Sequence, residues 1–201
     1  MTGNIVSDPA VGPPLNGGRP AGPWPDTVDA ASGRVTHDDF RGLMGAFPTG
    51  VAVITAVDQA GQPHGLTCTS LTSVTLHPPT LLICLNVRSG TLAAARERGR
   101  FAVNLLHAYA RRAAEVFSSA VPDRFAQVTW QPSVRIRQPW LIDDAFALAE
   151  CVVVGVSVVE DHAVVLGEVV HVKRTCDVPL LYGMRQFSRW RPDLPDERRA
   201  G

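Results

Sequence analysis

Two runs of strand-forming residues, 148–159 (LAECVVVGVSVV) and 163–173 (AVVLGEVVHVK), are separated only by Glu160, Asp161 and His162. Parallel neighbours need a crossover of about a dozen residues or more, so a link this short commits the two runs to an antiparallel hairpin. Each run is about twice the usual strand length of five to six residues, which makes the hairpin long enough to organise a sheet around it. Other strand-like runs accompany it. VAVITAV at 51–57 is followed by a turn, DQAGQ at 58–62, that leads back into a second strand. LLICLNV at 81–87 and FAVNLL at 101–106 have the apolar density of buried strands.

Helices fill the gaps. Thr36 caps a helix supported by Asp39, with Phe40, Leu43, Met44 and Phe47 on one face and Pro48 ending it. A second runs from about residue 91 to 98 and closes at Gly99. A third, 109–118, sets Ala110, Ala113, Ala114 and Phe117 against Arg111, Arg112 and Glu115 on the opposite side. Many strands with short connections predict a mainly β chain, a closed or nearly closed antiparallel barrel with flanking helices. There is no βαβ rhythm, and no GxGxxG follows a strand, which argues against a dinucleotide-binding doubly wound fold.

Of 201 residues, 45% are hydrophobic and 19% charged, enough for one well-buried core. That core is expected in a single domain at 35–190. Twelve of the first 34 residues are Gly or Pro with little apolar periodicity, so 1–34 reads as a flexible tail and 191–201 as a second, polar one. Nineteen basic residues balance nineteen acidic ones, so nothing electrostatic calls for nucleic acid or an anionic membrane. Cys68, Cys84, Cys151 and Cys176 form no CxxC pair and read as reduced thiols. With no basic leader and no apolar run of membrane-spanning length, the expected location is the cytoplasm.

Function is concentrated in residues 65–91, GLTCTSLTSVTLHPPTLLICLNVRSGT, nine of which carry hydroxyls. Hydroxyls donate and accept without adding charge, and Gly65 and Gly90 admit close approach of backbone amides, which suits a heteroaromatic ligand. An ordinary hairpin rich in Thr accounts for the same composition. Ser89, Gly90 and Thr91 precede a helix, where unpaired N–H groups make an anion site; plain capping is the competing role for Ser89 and Thr91. Histidine, cysteine and acidic residues do not fall into metal-ligand spacings, and no GxSxG nucleophile is present.

The ordered features FPTG at 47–50, TCTSLTSVTLHPP at 67–79, NVRSGT at 86–91, FAVNLL at 101–106, DRF at 123–125, ALAECVV at 147–153, DHAVVLGEV at 161–169 and PLLY at 179–182 resemble the flavin reductase family. These are flavin-binding split-barrel proteins, the reductase components of two-component flavin-dependent monooxygenases. The resemblance implies an NAD(P)H:flavin oxidoreductase that passes hydride from NADH or NADPH to FMN or FAD and releases reduced flavin to a partner monooxygenase. It also implies a homodimer. No catalytic side chain is required, because the flavin carries the chemistry. By the same resemblance, Gly65, Leu66, Thr67, Thr69 and Ser70 line the isoalloxazine and ribityl portion, with Thr49 supporting that wall. Asn86 contacts the flavin, Ser89, Gly90 and Thr91 form the phosphate turn, and Phe117 covers part of the ring. Asp161 and His162 match a GDH motif on the nicotinamide side, and Tyr182 shapes a pocket edge.

The chain departs from the family pattern in having Glu160 in place of the motif's glycine and Arg185 where many members have glycine. The first substitution is expected to disturb a turn that tolerates positive φ; Arg185 is read as a surface residue or a nucleotide-phosphate contact. Three rivals remain: an oxidoreductase that retains flavin and acts directly on an organic substrate, a non-enzymatic flavin-binding module, and a barrel that binds no flavin.

Overall fold

The computed structural model describes residues 35–191. Of the segments expected as tails, 1–34 and all of 191–201 except Arg191 lie outside the described residues. Among the described residues twelve strands occur: β1 (Thr49–Gly50), β2 (Ala52–Val57), β3 (Pro63–Cys68), β4 (Thr72–Leu76), β5 (Pro79–Asn86), β6 (Arg100–Leu106), β7 (Trp130–Pro132), β8 (Pro139–Leu141), β9 (Ala145–Val159), β10 (His162–Arg174), β11 (Leu180–Gly183) and β12 (Gln186–Arg189). Three α-helices flank them: α1 (His37–Ala46), α2 (Gly90–Arg98) and α3 (Arg111–Ser118). A 3-10 turn at Arg124–Gln127 follows α3.

Seven strands form one sheet in the order β3-β2-β6-β9-β10-β5-β4, with every neighbour antiparallel. The long hairpin anticipated from its three-residue link is β9–β10, and it lies at the centre. β9 pairs with β6 on its other side, and β10 pairs with β5, bringing His162 opposite Asn86. Two shorter sheets, β1-β11-β12 and β7-β8, sit beside it. The ends of the large sheet approach each other where the Ser70 hydroxyl, just beyond β3, accepts from the Cys84 N–H (3.1 Å) and donates to the Cys84 carbonyl (3.0 Å) of β5. One side chain thus spans a seam that strand pairing leaves open, as a split barrel requires.

β2 explains how the core divides. Strand side chains alternate between faces, and both faces of β2 are buried. Ala52, Ile54 and Ala56 join Ile83, Leu85, Phe101, Val103, Cys151 and Val165 inside the sheet, with Leu92, Ala94 and Ala95 of α2 closing that cluster. Val51 and Val53 face a second cluster made by Ala113, Ala114, Val116 and Phe117 of α3 with Leu106, Leu141 and Leu180. Of the cysteines, Cys68 and Cys151 are buried and Cys176 is exposed, and all four are free thiols. Burial pushes the Cys151 thiol up to about 12.

The short strands β7 and β8, which carry no periodic signal, owe their place to buried polar side chains. Asn104 of β6 accepts from the Leu141 N–H (2.9 Å) and donates to the Pro139 carbonyl (3.3 Å), while Thr55 donates to that carbonyl as well (2.6 Å). The buried Glu150 carboxylate accepts from the Ser133 hydroxyl and from the N–H groups of Arg135 and Ile136, ordering the loop between β7 and β8. Removing one partner from such a buried set costs about 1–3 kcal/mol through the polar group it leaves unpaired.

Both departures from glycine occupy left-handed backbone. Glu160 has φ 51, and Met184 and Arg185 have φ 51 and 60. The β9–β10 turn therefore keeps the geometry glycine would supply, and the side chain bears the strain. A non-glycine residue there costs about 1–2 kcal/mol, against about 0.5–1 kcal/mol of extra unfolded-state entropy for glycine. Glu160→Gly is accordingly expected to raise the urea midpoint modestly at unchanged m-value, and Glu160→Val to lower it. A lower midpoint for Glu160→Gly contradicts the strain.

Candidate functional site

α2 and α3 pack beside β2 and β3 and, with the 3-10 turn, enclose a cavity of about 810 Å³. Its wall includes Gly65, Leu66, Thr67, Ser89, Gly90, Thr91 and Phe117 from the sequence-based set. The cavity also takes in residues that the motifs did not single out, among them His64, Arg88, Asp123 and Arg124. DRF was legible as a motif, but nothing local tied it to this wall.

Gly65 sets the cavity floor. A Cβ there would lie 2.7 Å from Phe117 Cε1 and 3.2 Å from Phe125 Cζ. The two rings meet edge to face at 5.1 Å, so the missing side chain lets α3 and the following turn close onto β3. Phe117 is 1% exposed, and most of its ring is committed to the second core cluster. Two polar side chains hold this packing. The Thr67 hydroxyl donates to the Ala114 carbonyl (2.6 Å), and Arg124 donates to the Gly65 carbonyl (2.9 Å) and to the Ser119 carbonyl. Thr67 therefore contributes to the wall with its hydroxyl already engaged.

The opposite end of the cavity is the start of α2. Ser89 is the N-cap, and its hydroxyl accepts from the Leu92 N–H at 3.1 Å. The capping role is real, and it leaves the Gly90 and Thr91 N–H groups for other partners. Asn86 shapes the approach to this turn by accepting from the Arg88 N–H (2.9 Å) through its side chain and from the Ser89 N–H (3.0 Å) through its carbonyl.

The other sequence-based residues lie outside this cavity. Thr69 is exposed beyond β3, and Ser70 is engaged at the seam. Asp161 and His162 form a pair at 2.8 Å on the tip of the long hairpin, and His162 holds the Asp161 carboxyl below its ordinary value. That tip adjoins the turn at Asn86, because the Asp161 carbonyl accepts from the Val87 N–H (2.9 Å). Thr49 and Tyr182 pair with each other in the β1–β11 ladder of the smaller sheet. Arg185 is exposed in the turn between β11 and β12.

A wall of backbone and engaged hydroxyls, with a helix N-terminus and Arg88 at one end, suits a ligand having a ring system and an anionic tail. The family model described as the flavin reductase like domain matches residues 44–191. The chain belongs to the flavin reductase family. The flavin reductase (NADPH) of Lentzea aerocolonigenes is 63% identical over 165 residues, covering 82% of this chain and 96% of that protein. The reductase subunit HsaB of a flavin-dependent monooxygenase from Mycobacterium tuberculosis is 33% identical over 176 residues, covering 81% of this chain and 92% of the subunit. The solved structure of the Streptomyces globisporus NADH:FAD oxidoreductase SgcE6, in complex with NAD and FAD fragments, superposes with a TM-score of 0.73 at 32% identity, covering 79% of this chain and 94% of that one.

In this family member the glycine at 65 is a packing requirement. Gly65→Ala is expected to destabilise the protein by about 1–3 kcal/mol through overpacking, with altered near-ultraviolet circular dichroism as Phe117 is displaced. Unchanged stability would mean that the rings yield freely. Ser89→Ala is expected to cost about 1 kcal/mol through loss of the cap, read from urea unfolding.

Proposed function

We propose that this flavin reductase binds NAD(P)H together with FMN or FAD and supplies reduced flavin to a partner monooxygenase. The observation that carries the reading is the cavity between β3, α2 and α3, with Gly65, Leu66 and Thr67 on one wall and free helix N–H groups at the start of α2. The cofactor pair supplies the redox chemistry: NAD(P)H gives a hydride and oxidised flavin takes it, with a proton completing the reduced flavin.

The chain's own contribution is placement. Gly65, Leu66 and Thr67 offer the ring system a surface without charge, and Gly90 and Thr91 direct N–H groups toward the phosphate end. Thr69, Ser70 and Asn86 border this region, and Phe117 supports it from below. The hairpin tip carrying Asp161 and His162 stands beside the Asn86 turn, a position suited to the nicotinamide nucleotide. Thr49 and Tyr182 belong to a separate ladder outside this cavity. Neutral contacts favour release, since each tenfold of affinity is only about 1.4 kcal/mol.

α1 favours a homodimer. Its capping box forms as the sequence predicts, with Thr36 and Asp39 bonded reciprocally. Yet the apolar face has no cover within the described chain: Phe40, Leu43, Met44 and Phe47 are 58%, 67%, 48% and 62% exposed. Burying large apolar side chains is worth about 1.5–3 kcal/mol each, and a second copy is the occupant consistent with the family resemblance. Among the described residues no helix is long and apolar enough to cross a membrane, and dependence on NAD(P)H fits work in the cytoplasm.

Steady-state oxidation of NADH or NADPH is expected to saturate with free FMN or FAD in excess of enzyme. Tight flavin retention with turnover of an organic substrate would support direct reduction instead, and flavin binding without nucleotide oxidation would support a carrier. Light scattering is expected to give a dimer mass that Leu43→Glu shifts toward the monomer; a wild-type monomer contradicts the assembly.

A further inference from the structure

His64 stands on β3 immediately before Gly65, with its side chain 33% exposed into the cavity wall. One edge of its ring is fixed: Nε2 lies 2.9 Å from Asp58 Oδ2. Asp58 is itself held in place, because its Oδ1 accepts from the Gln62 N–H (2.8 Å) and its carbonyl accepts from Gly61 (3.1 Å) and from Arg98 (3.4 Å). Glu97 fastens the same turn by accepting from the Gln59 N–H (3.2 Å). The bond to His64, followed by that from Gln62, keeps the Asp58 carboxyl below its ordinary value. That anchorage is complete above the ordinary carboxylate value and fades only as pH falls through the lowered one.

The other edge of the ring faces the start of α2. A Cβ on Gly90 would lie 2.8 Å from His64 Nδ1, so the lack of a side chain at 90 is what admits the imidazole to this position. Among the described residues only Asp58 bonds the ring. The neighbouring Gly90 and Thr91 N–H groups also keep no acceptor, since Ser89 takes Leu92 and Ala93. Arg88 adds a guanidinium to the same end of the cavity, while Arg124 is occupied by the Gly65 and Ser119 carbonyls across it. With Nε2 on Asp58, the protonated form of the ring has its Nδ1–H left to donate toward an anion.

We propose that His64, oriented by Asp58, reads the phosphate end of the flavin and makes the protein prefer FMN and FAD over riboflavin. The inference rests on the flavin-binding reading above and adds a specificity residue to it. His64 touches the part of the ligand remote from the transferred hydride, so its role is recognition of the tail.

Fluorescence titrations of FMN, FAD and riboflavin, with wild type and His64→Ala, separate the possibilities. Wild type is expected to bind FMN more tightly than riboflavin. His64→Ala is expected to weaken FMN about tenfold or more, as loss of a charge-assisted bond implies, and riboflavin less than about twofold, since only the phosphate contact is removed. His64→Asn, which keeps a polar group of smaller reach, serves the same comparison if the alanine variant folds poorly. Equal weakening of both ligands, unchanged FMN affinity, or a wild type indifferent to the phosphate overturns the inference while leaving flavin binding intact. Failure of wild type to bind any of the three overturns the functional reading and the inference together.

Discussion

The site depends on a contact that only a residue without a side chain permits. Gly65 lets Phe117 and Phe125 press onto the backbone of β3, and the same few residues are tied across by Thr67 to α3 and by Arg124 to the following turn. Dispersion between aromatic rings and backbone is weak per atom and large in sum, and here it fixes how far α3 stands from the strand. That distance sets one side of the cavity. The other side is α2, whose Leu92, Ala94 and Ala95 are embedded in the interior of the sheet. The cavity is consequently built by two cores that meet at β2, and Thr67, Ser89 and Arg124 spend their polar groups in holding its walls.

Much of the fold was legible because its signals are local. The three-residue link dictated the β9–β10 hairpin, Thr36 and Asp39 closed the capping box they predicted, and Gly99 ends α2 in the left-handed conformation. What escaped depends on distant partners. β7 and β8 are three residues each and contain prolines; they are placed by Asn104 and Thr55, far away in sequence, and by Glu150 on the next strand. The apolar face of α1 was legible as a stripe, but its exposure was not, since periodicity says that a face needs cover and not which chain provides it. Glu160 and Arg185 show a further limit: a missing glycine suggested altered turns, whereas both residues adopt the left-handed backbone themselves.

The candidate site divides the same way. Residues 65–67 and 89–91 were marked by hydroxyls and glycines close together in sequence, and the structure brings both groups and Phe117 to one cavity. The flavin roles assigned to them follow from family resemblance joined to that geometry. His64 and Arg124 carried no comparable local mark. A histidine beside a turn and an arginine in a polar loop are ordinary surface residues until the β2–β3 hairpin sets Asp58 against His64 and the packing of α3 brings Arg124 to the Gly65 carbonyl.

A crystal structure of the protein soaked with FMN tests the central claim most directly. The account predicts isoalloxazine density against Gly65, Leu66 and Thr67 and phosphate density within reach of the Gly90 and Thr91 N–H groups. Flavin density in another part of the molecule, or an empty cavity in crystals grown with saturating FMN, would contradict it.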